Sequence, residues 1–232
     1  MPFIVVVSGK IGSGKDYLTG KLIEELESRG KTTAHGSFAA PLKEELGQII
    51  NLLKENRDLT EAEASELVSK EFGMTAEQAG WLVEKLYPEL GIPELNGWTR
   101  TPGVRTCLQL LGTEIRRAQN PNYWTNRFLE HANSLDVDYV FASDGRFPNE
   151  MDCAIENGGV TFRLDIPEET LQKRRVNRDG IVYTEEQLNH ASETALDDYT
   201  RFDYYVGEVV DAPALANILI LRDTLKKANL TK

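Results

Sequence analysis

A glycine-rich run near the start of the chain has the spacing of a phosphate-binding loop. Residues 9–15 read Gly-Lys-Ile-Gly-Ser-Gly-Lys, which fits G-x-x-x-x-G-K. The apolar stretch 3–7 before it predicts a buried strand, and a helical pattern covers 16–28 after it. Glycines let the backbone N–H groups face an anion, and the helix N-terminus adds a positive dipole. The pattern predicts a site for a phosphate chain; the alternative is a chance glycine-rich turn.

The loop also predicts which residues hold a nucleotide. Lys15 would neutralise the β- and γ-phosphates of ATP, while the backbone amides of the loop surround them. The ATP-binding residues predicted from the loop and the two positions after it are Gly9, Ile11, Gly12, Ser13, Gly14, Lys15, Asp16 and Tyr17.

An acidic pair predicts a magnesium site. The position after the loop lysine is usually Ser or Thr, whose hydroxyl binds Mg²⁺, and here it is Asp16. A carboxylate is a hard oxygen ligand for Mg²⁺, directly or through water. Asp144 closes an apolar stretch, where a second acidic residue meets the metal in phosphate-loop enzymes. We predict Asp16 and Asp144 as metal ligands, although Asp16 could instead only favour the helix start.

Length and composition limit the class of protein and its partners. The chain has 232 residues, 41% of them hydrophobic, and a net charge of −11. This length predicts one core domain with an inserted or lid segment, and the negative charge argues against a nucleic-acid partner. No stretch approaches membrane-spanning length, and the first strand starts too early for a signal peptide, so we expect a cytoplasmic protein without a membrane partner. Two cysteines without metal spacing are expected to be reduced thiols.

Strand-like and helical stretches alternate, which predicts an α/β fold with a parallel sheet covered on both faces. The expected strands cover 3–7, 32–38, 137–143, 159–166 and 202–206. The expected helices of the core cover 16–28, 41–56, 104–117, 122–134 and 212–228. Ligands of such sheets bind at the carboxyl ends of the strands, where the Gly9 loop, Ser37, Phe38 and Asp144 fall.

The segment from about 54 to 95 differs from the rest. It is acid-rich and helical by pattern, with helix starts at Thr60 and Thr75 that are followed by Glu or Gln. We interpret it as an insertion, so that 1–53 and 104–232 form the core and 54–103 forms a helical insertion within a single domain.

Three arginines cluster at the end of a helix that opens at Pro167. Arg174 and Arg178 lie four residues apart and share a helix face, with Arg175 beside them. Cations suit a helix C-terminus, which would make the cluster structural. Alternatively, a lid at about 174–190 brings Arg174 and Arg178 over transferring phosphates, whose oxygens match guanidinium groups. In a chain this acidic we favour the lid.

A second set of cationic and aromatic residues suits a pocket for a monophosphate and a base. Its members are Phe38, Lys43, Arg105, Gln109, Arg116, Arg117, Trp124 and Arg127. The alternative is that the aromatics are core and the arginines surface. Arg146 follows Asp144 by two residues and either faces the same cleft or pairs with an acid such as Glu150.

With these residues in place, the chain resembles the bacteriophage deoxynucleoside monophosphate kinase family. The resemblance spans nearly the whole chain in order, in blocks at 8–16, 37–43, 108–116 with 122–124, 144–150 and 190–198. The blocks Gly-Arg-Phe-Pro-Asn-Glu and His-Ala-Ser-Glu are more specific than the loop itself. The chain departs from the family at Tyr17, where Thr is common, and at Gly145, where a β-branched residue is usual.

The resemblance implies ATP- and Mg²⁺-dependent phosphorylation of a deoxynucleoside 5′-monophosphate to its diphosphate. It also implies a P-loop, nucleoside-monophosphate-kinase-like fold with a five-stranded parallel sheet, a monophosphate-binding region at 54–103 and a lid near 174–190. The residues assigned to catalysis are Lys15, Asp16, Asp144, Arg146, Arg174 and Arg178, of which Arg174 also contacts ATP. Those assigned to the deoxynucleotide are Ser37, Phe38, Lys43, Arg105, Gln109, Arg116, Trp124, Arg127, Arg146 and Glu150.

Two other functions stay open at this point. Another small-molecule kinase, acting on dephospho-coenzyme A or phosphomevalonate, would use the same donor site. A non-catalytic nucleotide-binding regulatory protein would instead present the acidic segment 54–95 to a partner. The sequence leaves the accepted bases and a homodimer undecided, and a phage-encoded chain would work in the host cytoplasm.

Overall fold

The computed structural model describes residues 1–179 and 185–230, and gives the backbone alone for 177–179, 186, 187, 229 and 230. The chain divides into two compact units, which are described separately. Unit 1 comprises Met1–Phe38 and Phe128–Lys232, and unit 2 comprises Ala39–Arg127.

Helices occur throughout the described part of the chain. In order they are α1 Lys15–Ser28, α2 Ala40–Glu55, α3 Glu61–Phe72, α4 Ala76–Leu86, α5 Pro102–Gln109, α6 Tyr123–Ser134, α7 Pro148–Glu156, α8 Glu168–Asp179, α9 Glu185–Leu188, α10 Ala191–Thr194 and α11 Ala212–Leu230. A 3₁₀ turn lies at Tyr87–Glu89, and α5 continues as a π-helical segment at Leu110–Arg117. Among the described residues, no helix combines the length and apolar character needed to cross a membrane.

Unit 1 is built on a five-stranded parallel sheet. Its strands are β1 Phe3–Gly9, β2 Thr33–Gly36, β3 Tyr139–Gly145, β4 Val160–Leu164 and β5 Tyr204–Val206. Their order in the sheet is β2-β3-β1-β4-β5, and every neighbouring pair is parallel. The central strand β1 is buried along its entire length, and burial on both faces is why residues 3–7 form an uninterrupted apolar run in the sequence.

Helices cover both faces of this sheet. Alternate residues of β1 enter two different apolar clusters, because successive side chains of a strand point to opposite faces. Val5 packs in the cluster that contains Leu22 of α1 and Leu219 of α11. Val6 packs in the cluster that contains Met151 of α7. The predicted α/β class, with five parallel strands and helices on both sides, is confirmed.

The end of β3 is unusually crowded. Gly145 lies against the side chains of Val6 and Met151, and a Cβ atom at this position would collide with both. A glycine in a strand often marks such a close approach. The departure from the resembled family at residue 145 therefore has a packing reason in this chain.

Unit 2 is helical and has an apolar core of its own. Leu46 of α2, Leu82 of α4 and Cys107 of α5 are all fully buried in it. The helix starts predicted at Thr60 and Thr75 are confirmed, and each forms a capping box with the residue three positions later. The segment 54–103 lies inside this unit, and its role as an insertion stays a prediction.

The helix expected over 104–117 differs from the structure at both ends. It begins at Pro102, because the hydroxyl of Thr101 accepts the Val104 N–H at 3.3 Å and proline suits a first turn. From Leu110 onwards the backbone widens into the π-helical segment. The expected strand 32–38 is likewise shorter, since β2 ends at Gly36.

Candidate active site

The phosphate loop, residues 9–15, joins β1 to α1 in unit 1, and the contacts described next all lie within this unit. Gly12 and Gly14 have φ values of +84° and +93°, in the left-handed region that glycine favours. A Cβ atom at Gly12 would also lie 3.1 Å from Cγ of Arg175. The loop therefore requires glycine at these two positions, as its spacing predicts.

Lys15 folds back over the loop. Its Nζ donates hydrogen bonds to the carbonyl oxygens of Gly9 at 2.8 Å and Lys10 at 3.2 Å. Burial lowers the pKa of Lys15 to about 8, and the positive charges of Arg146 and Arg163 act in the same direction. Glu193 and Asp16 oppose that lowering of the pKa. Removal of water from around the ammonium makes it a strong partner for a bound anion.

Ser13 points to a ligand at the loop. Ser13 is 2% exposed, and its Oγ has no hydrogen-bond partner among the residues that the structure describes. Buried hydroxyls in proteins are normally hydrogen-bonded, so one without a partner calls for an explanation. Together with the two left-handed glycines and Lys15, this hydroxyl fits a loop that binds phosphate.

Two carboxylates lie at the start of α1 and near the end of β3. Ser143 Oγ donates to Asp16 Oδ1 at 2.7 Å, so Asp16 contacts the residue that precedes Asp144. Asp144 accepts hydrogen bonds from Ser37 Oγ at 2.6 Å and from the Phe38 N–H at 3.1 Å. Within the described part of the chain, no three His, Cys, Asp or Glu side chains cluster as a metal site. Two carboxylates still fit Mg²⁺, which keeps several waters when bound.

Two arginines of α8 also contact the loop. Arg174 donates from Nη1 to the carbonyl oxygen of Ser13 at 3.0 Å. Arg175 is buried, donates from Nε to the carbonyl oxygen of Ile11 at 2.9 Å and pairs with Glu168 at 2.7 Å. The side chain of Arg178 and residues 180–184 of the expected lid lie outside the described residues. The lid therefore stays a prediction.

Arg146 follows β3 and contacts a residue that the sequence did not single out for the site. Its guanidinium pairs with Glu193 of α10 and donates from Nη1 to the Ser192 carbonyl oxygen at 3.3 Å. Glu150 accepts the backbone N–H groups of Arg146 at 2.7 Å and Phe147 at 3.1 Å, and thereby caps the start of α7. The only signal for Glu193 in the sequence is the His-Ala-Ser-Glu block that contains it.

Besides Glu150, which is 2% exposed, three residues predicted to contact the deoxynucleotide are built into the interior. Phe38 in unit 1 is 3% exposed and packs on Phe128 with ring centroids 4.3 Å apart. Trp124 in unit 2 is 2% exposed and donates from its indole to the Gly112 carbonyl oxygen at 3.0 Å. Their rings are therefore core aromatics in this structure, which is the alternative that the sequence left open.

The third of these residues is Arg116, which lies in the interior of unit 2. Its Nε donates to Glu45 Oε1 at 2.7 Å, and its Nη1 donates to the Gly73 carbonyl oxygen at 3.4 Å. Buried guanidinium groups need such partners because they have lost water. Both Arg116 and Glu45 are about 5% exposed, so this cation serves the core of unit 2.

The remaining predicted residues of unit 2 are accessible. Arg105, Gln109 and Arg127 are exposed, and the Lys43 ammonium lies 4.3 Å from the ring centroid of Trp98. Trp98 is 55% exposed and was missed in the sequence, where its only signal is an aromatic in a proline-bounded loop. The backbone N–H of Trp98 donates to Asn96 Oδ1 at 2.8 Å. The turn is thus ordered by its own hydrogen bonds and presents an aromatic face to solvent.

Comparison with known proteins assigns no family. No protein-family model matches the sequence, and no curated protein matches it. Among solved structures, the chain is similar to a gluconokinase from Sinorhizobium meliloti 1021, with 14% identity, 99% of this chain and 96% of that chain covered, and a TM-score of 0.43. It is also similar to a dephospho-CoA kinase from Campylobacter jejuni, with 16% identity, 96% and 97% covered, and a TM-score of 0.38. At these values the likeness decides neither the fold nor the substrate of this chain.

Proposed function

We propose that the protein is a P-loop kinase that transfers the terminal phosphoryl group of ATP to a deoxynucleoside 5′-monophosphate. The observation that supports a phosphate-transferring site most directly is the phosphate loop itself. Lys15 lies over its carbonyl oxygens, and the buried Ser13 hydroxyl beneath lacks a partner among the described residues. The deoxynucleotide as acceptor rests on the resemblance of the sequence blocks.

The residues of the chain act by binding and charge neutralisation. Bound Mg·ATP supplies the phosphoryl group, and Asp16 with Asp144 would hold the metal. Lys15 and the loop amides neutralise the donor phosphates, and Arg174 adds a guanidinium beside Ser13. The acceptor phosphate is already anionic at pH 7, so no strong general base is required. The chain must mainly orient two polyanions and keep water from the transferring group.

The residues proposed for the acceptor come from the resemblance of the sequence blocks. Arg146 would bind its phosphate, and Ser37 and Glu150 would order the backbone near that point. The accessible cations and amide of unit 2 (Lys43, Arg105, Gln109 and Arg127) stay in the proposed set, whereas Phe38, Arg116 and Trp124 leave it because their side chains are interior.

Trp98 takes the place of Trp124 as the ring proposed to stack on the base. Its exposed face and the neighbouring Lys43 ammonium suit a planar ring that carries a phosphate. A Trp98→Leu variant should raise KM for the deoxynucleotide about tenfold and leave KM for ATP unchanged. An acceptor KM equal to that of the wild type would remove Trp98 from the site.

The function is tested by ADP release from Mg·ATP, with each deoxynucleoside and ribonucleoside monophosphate added singly. Strong stimulation by one or several deoxynucleotides supports the proposal and gives the base specificity. Dephospho-coenzyme A and phosphomevalonate are added as rival acceptors, since either would use the same donor loop. ATP binding without stimulation by any acceptor would instead support a regulatory nucleotide-binding protein.

A further inference from the structure

The short helix α10 carries a carboxylate into the phosphate loop that the proposed function leaves without a role. Glu193 is 7% exposed, and its Oε2 accepts the backbone N–H of Ile11 at 2.8 Å. Its other oxygen, Oε1, pairs with the guanidinium of Arg146. One buried carboxylate therefore links the phosphate loop to the cation proposed to bind the acceptor phosphate.

Glu193 is itself held in place. His190 caps α10, because its Nδ1 accepts the Ser192 N–H at 3.2 Å. A second acid further along, Asp197, pairs with Lys10 of the loop at 2.9 Å and with Arg163 at 3.5 Å. The two acids differ in environment: the Glu193 side chain is 4% exposed and that of Asp197 is 39% exposed. Asp197 is thus a matched control from the same segment.

The charges around Arg146 explain why it needs a fixed partner. Lys15 and Arg163 are cations of the same neighbourhood, and Arg146 has a long side chain that many rotamers could direct elsewhere. A buried carboxylate with a second hydrogen bond to the backbone gives the guanidinium one preferred position. Removal of that carboxylate would leave Arg146 beside like charges, and of the contacts described for Nη1 the neutral carbonyl oxygen of Ser192 would remain.

We propose that Glu193 is a positioning residue, which holds the Arg146 guanidinium beside the phosphate loop so that it can receive a phosphate group. This inference rests on the proposed function, in which Arg146 binds the acceptor phosphate. Glu193 acts through Arg146 and the loop backbone, without contact to the transferring group.

A double-mutant cycle tests the inference with Glu193→Gln, Arg146→Gln and the double variant. Glutamine keeps an oxygen that can accept the Ile11 N–H but removes the charge that pairs with Arg146. We expect Glu193→Gln to lower kcat/KM for the deoxynucleotide roughly tenfold, and the double variant to be no worse than Arg146→Gln alone. KM for ATP should change less than twofold, and Asp197→Asn should lower kcat/KM less than Glu193→Gln does, because the Asp197 side chain is 39% exposed.

Independent losses that multiply in the double variant would overturn the inference, because Glu193 would then act without Arg146. So would wild-type kinetics of Glu193→Gln. Glu193→Asp keeps the charge on a shorter side chain and should recover part of the lost kcat/KM. If Glu193→Gln melts at a lower temperature, the cycle is measured below that transition, where every variant is folded.

The kinase activity of the wild-type protein tests the proposed function separately. If the wild type phosphorylates no deoxynucleotide, that function fails, and the same cycle is read by calorimetric titration with inorganic pyrophosphate. If pyrophosphate binds the double variant no more weakly than it binds Arg146→Gln, the positioning role is supported. If the two substitutions weaken pyrophosphate binding additively, or if Glu193→Gln does not weaken it, the positioning role is overturned.

Discussion

Arg174 Nη1 donates a hydrogen bond to the carbonyl oxygen of Ser13 at 3.0 Å, so that the Arg174 guanidinium links helix α8 to the phosphate loop. The next residue, Arg175, makes a similar bond to Ile11 but is buried and paired with Glu168. Two adjacent arginines thus reach the same loop in different environments. Arg174 remains partly accessible, as a residue that meets bound phosphates must be.

Replacement of Arg174 by Ala should lower kcat on the order of 10³-fold if its guanidinium stabilises the transferring group. The unfolding free energy should change by about 0.5 kcal/mol or less, because the side chain is partly solvated. Steady-state ADP release and urea unfolding measure the two quantities. A loss of tenfold or less would leave Arg174 with only a structural role.

Arg175→Ala is the matched comparison. It removes a buried guanidinium with hydrogen bonds to Ile11 and Glu168, so unfolding should become easier by about 1–3 kcal/mol. An unchanged urea midpoint would contradict a stabilising role of these two contacts of Arg175.

Lys15→Ala should abolish phosphoryl transfer while the fold survives. The Lys15 ammonium donates hydrogen bonds to the loop carbonyl oxygens of Gly9 and Lys10 and is not part of the apolar core of unit 1. Circular dichroism and thermal unfolding should match the wild type, and ADP release should fall to background. Near-normal turnover in this variant would refute the proposed donor site.

Removal of one partner from the buried Glu45–Arg116 ion pair of unit 2 should destabilise the protein. Glu45→Ala leaves the Arg116 guanidinium buried without its carboxylate, which should cost about 3–5 kcal/mol in urea unfolding. A double Glu45→Leu, Arg116→Met variant should recover much of that loss, since no unpaired charge remains. If Arg116 bound the acceptor instead, Arg116→Met would raise the acceptor KM in folded protein.

Both thiols should resist alkylation in the native protein. Burial raises the pKa of Cys107 and of Cys153 to about 12, with nearby Glu side chains adding to the effect. A raised pKa lowers the fraction of reactive thiolate at every pH below it. At pH 8 only about 1 part in 10⁴ of each thiol is then thiolate. Iodoacetamide labelling followed by mass spectrometry should be slow in buffer and rapid in urea. Fast labelling of either thiol in buffer would contradict its burial.

The sheet and the phosphate loop could be predicted from the sequence because both leave local signals. The run 3–7 is apolar at every position, and the loop needs glycine where the backbone is left-handed. The capping boxes of α3 and α4 are equally local, since each is made by residues three apart.

The partners of the charged side chains could not be predicted in this way. The Arg116–Glu45 pair joins residues 71 positions apart, and the Glu193 contact with Ile11 spans 182. A sequence pattern does not distinguish an arginine that faces a ligand from one that meets a distant carboxylate in the interior. The same ambiguity placed Trp124 in the proposed pocket, whereas Trp98 has the accessible ring.

The crowding around Gly145 has a consequence for how this sequence can vary. A side chain at residue 145 would displace Cε of Met151, the end of a flexible side chain that can turn aside, and would also collide with Cγ1 of Val6, which cannot. Related chains with a β-branched residue at this position should therefore carry a smaller residue at the position of Val6. Exchange at either site alone would pass through an overfilled or a hollow intermediate, so the two positions are expected to change together.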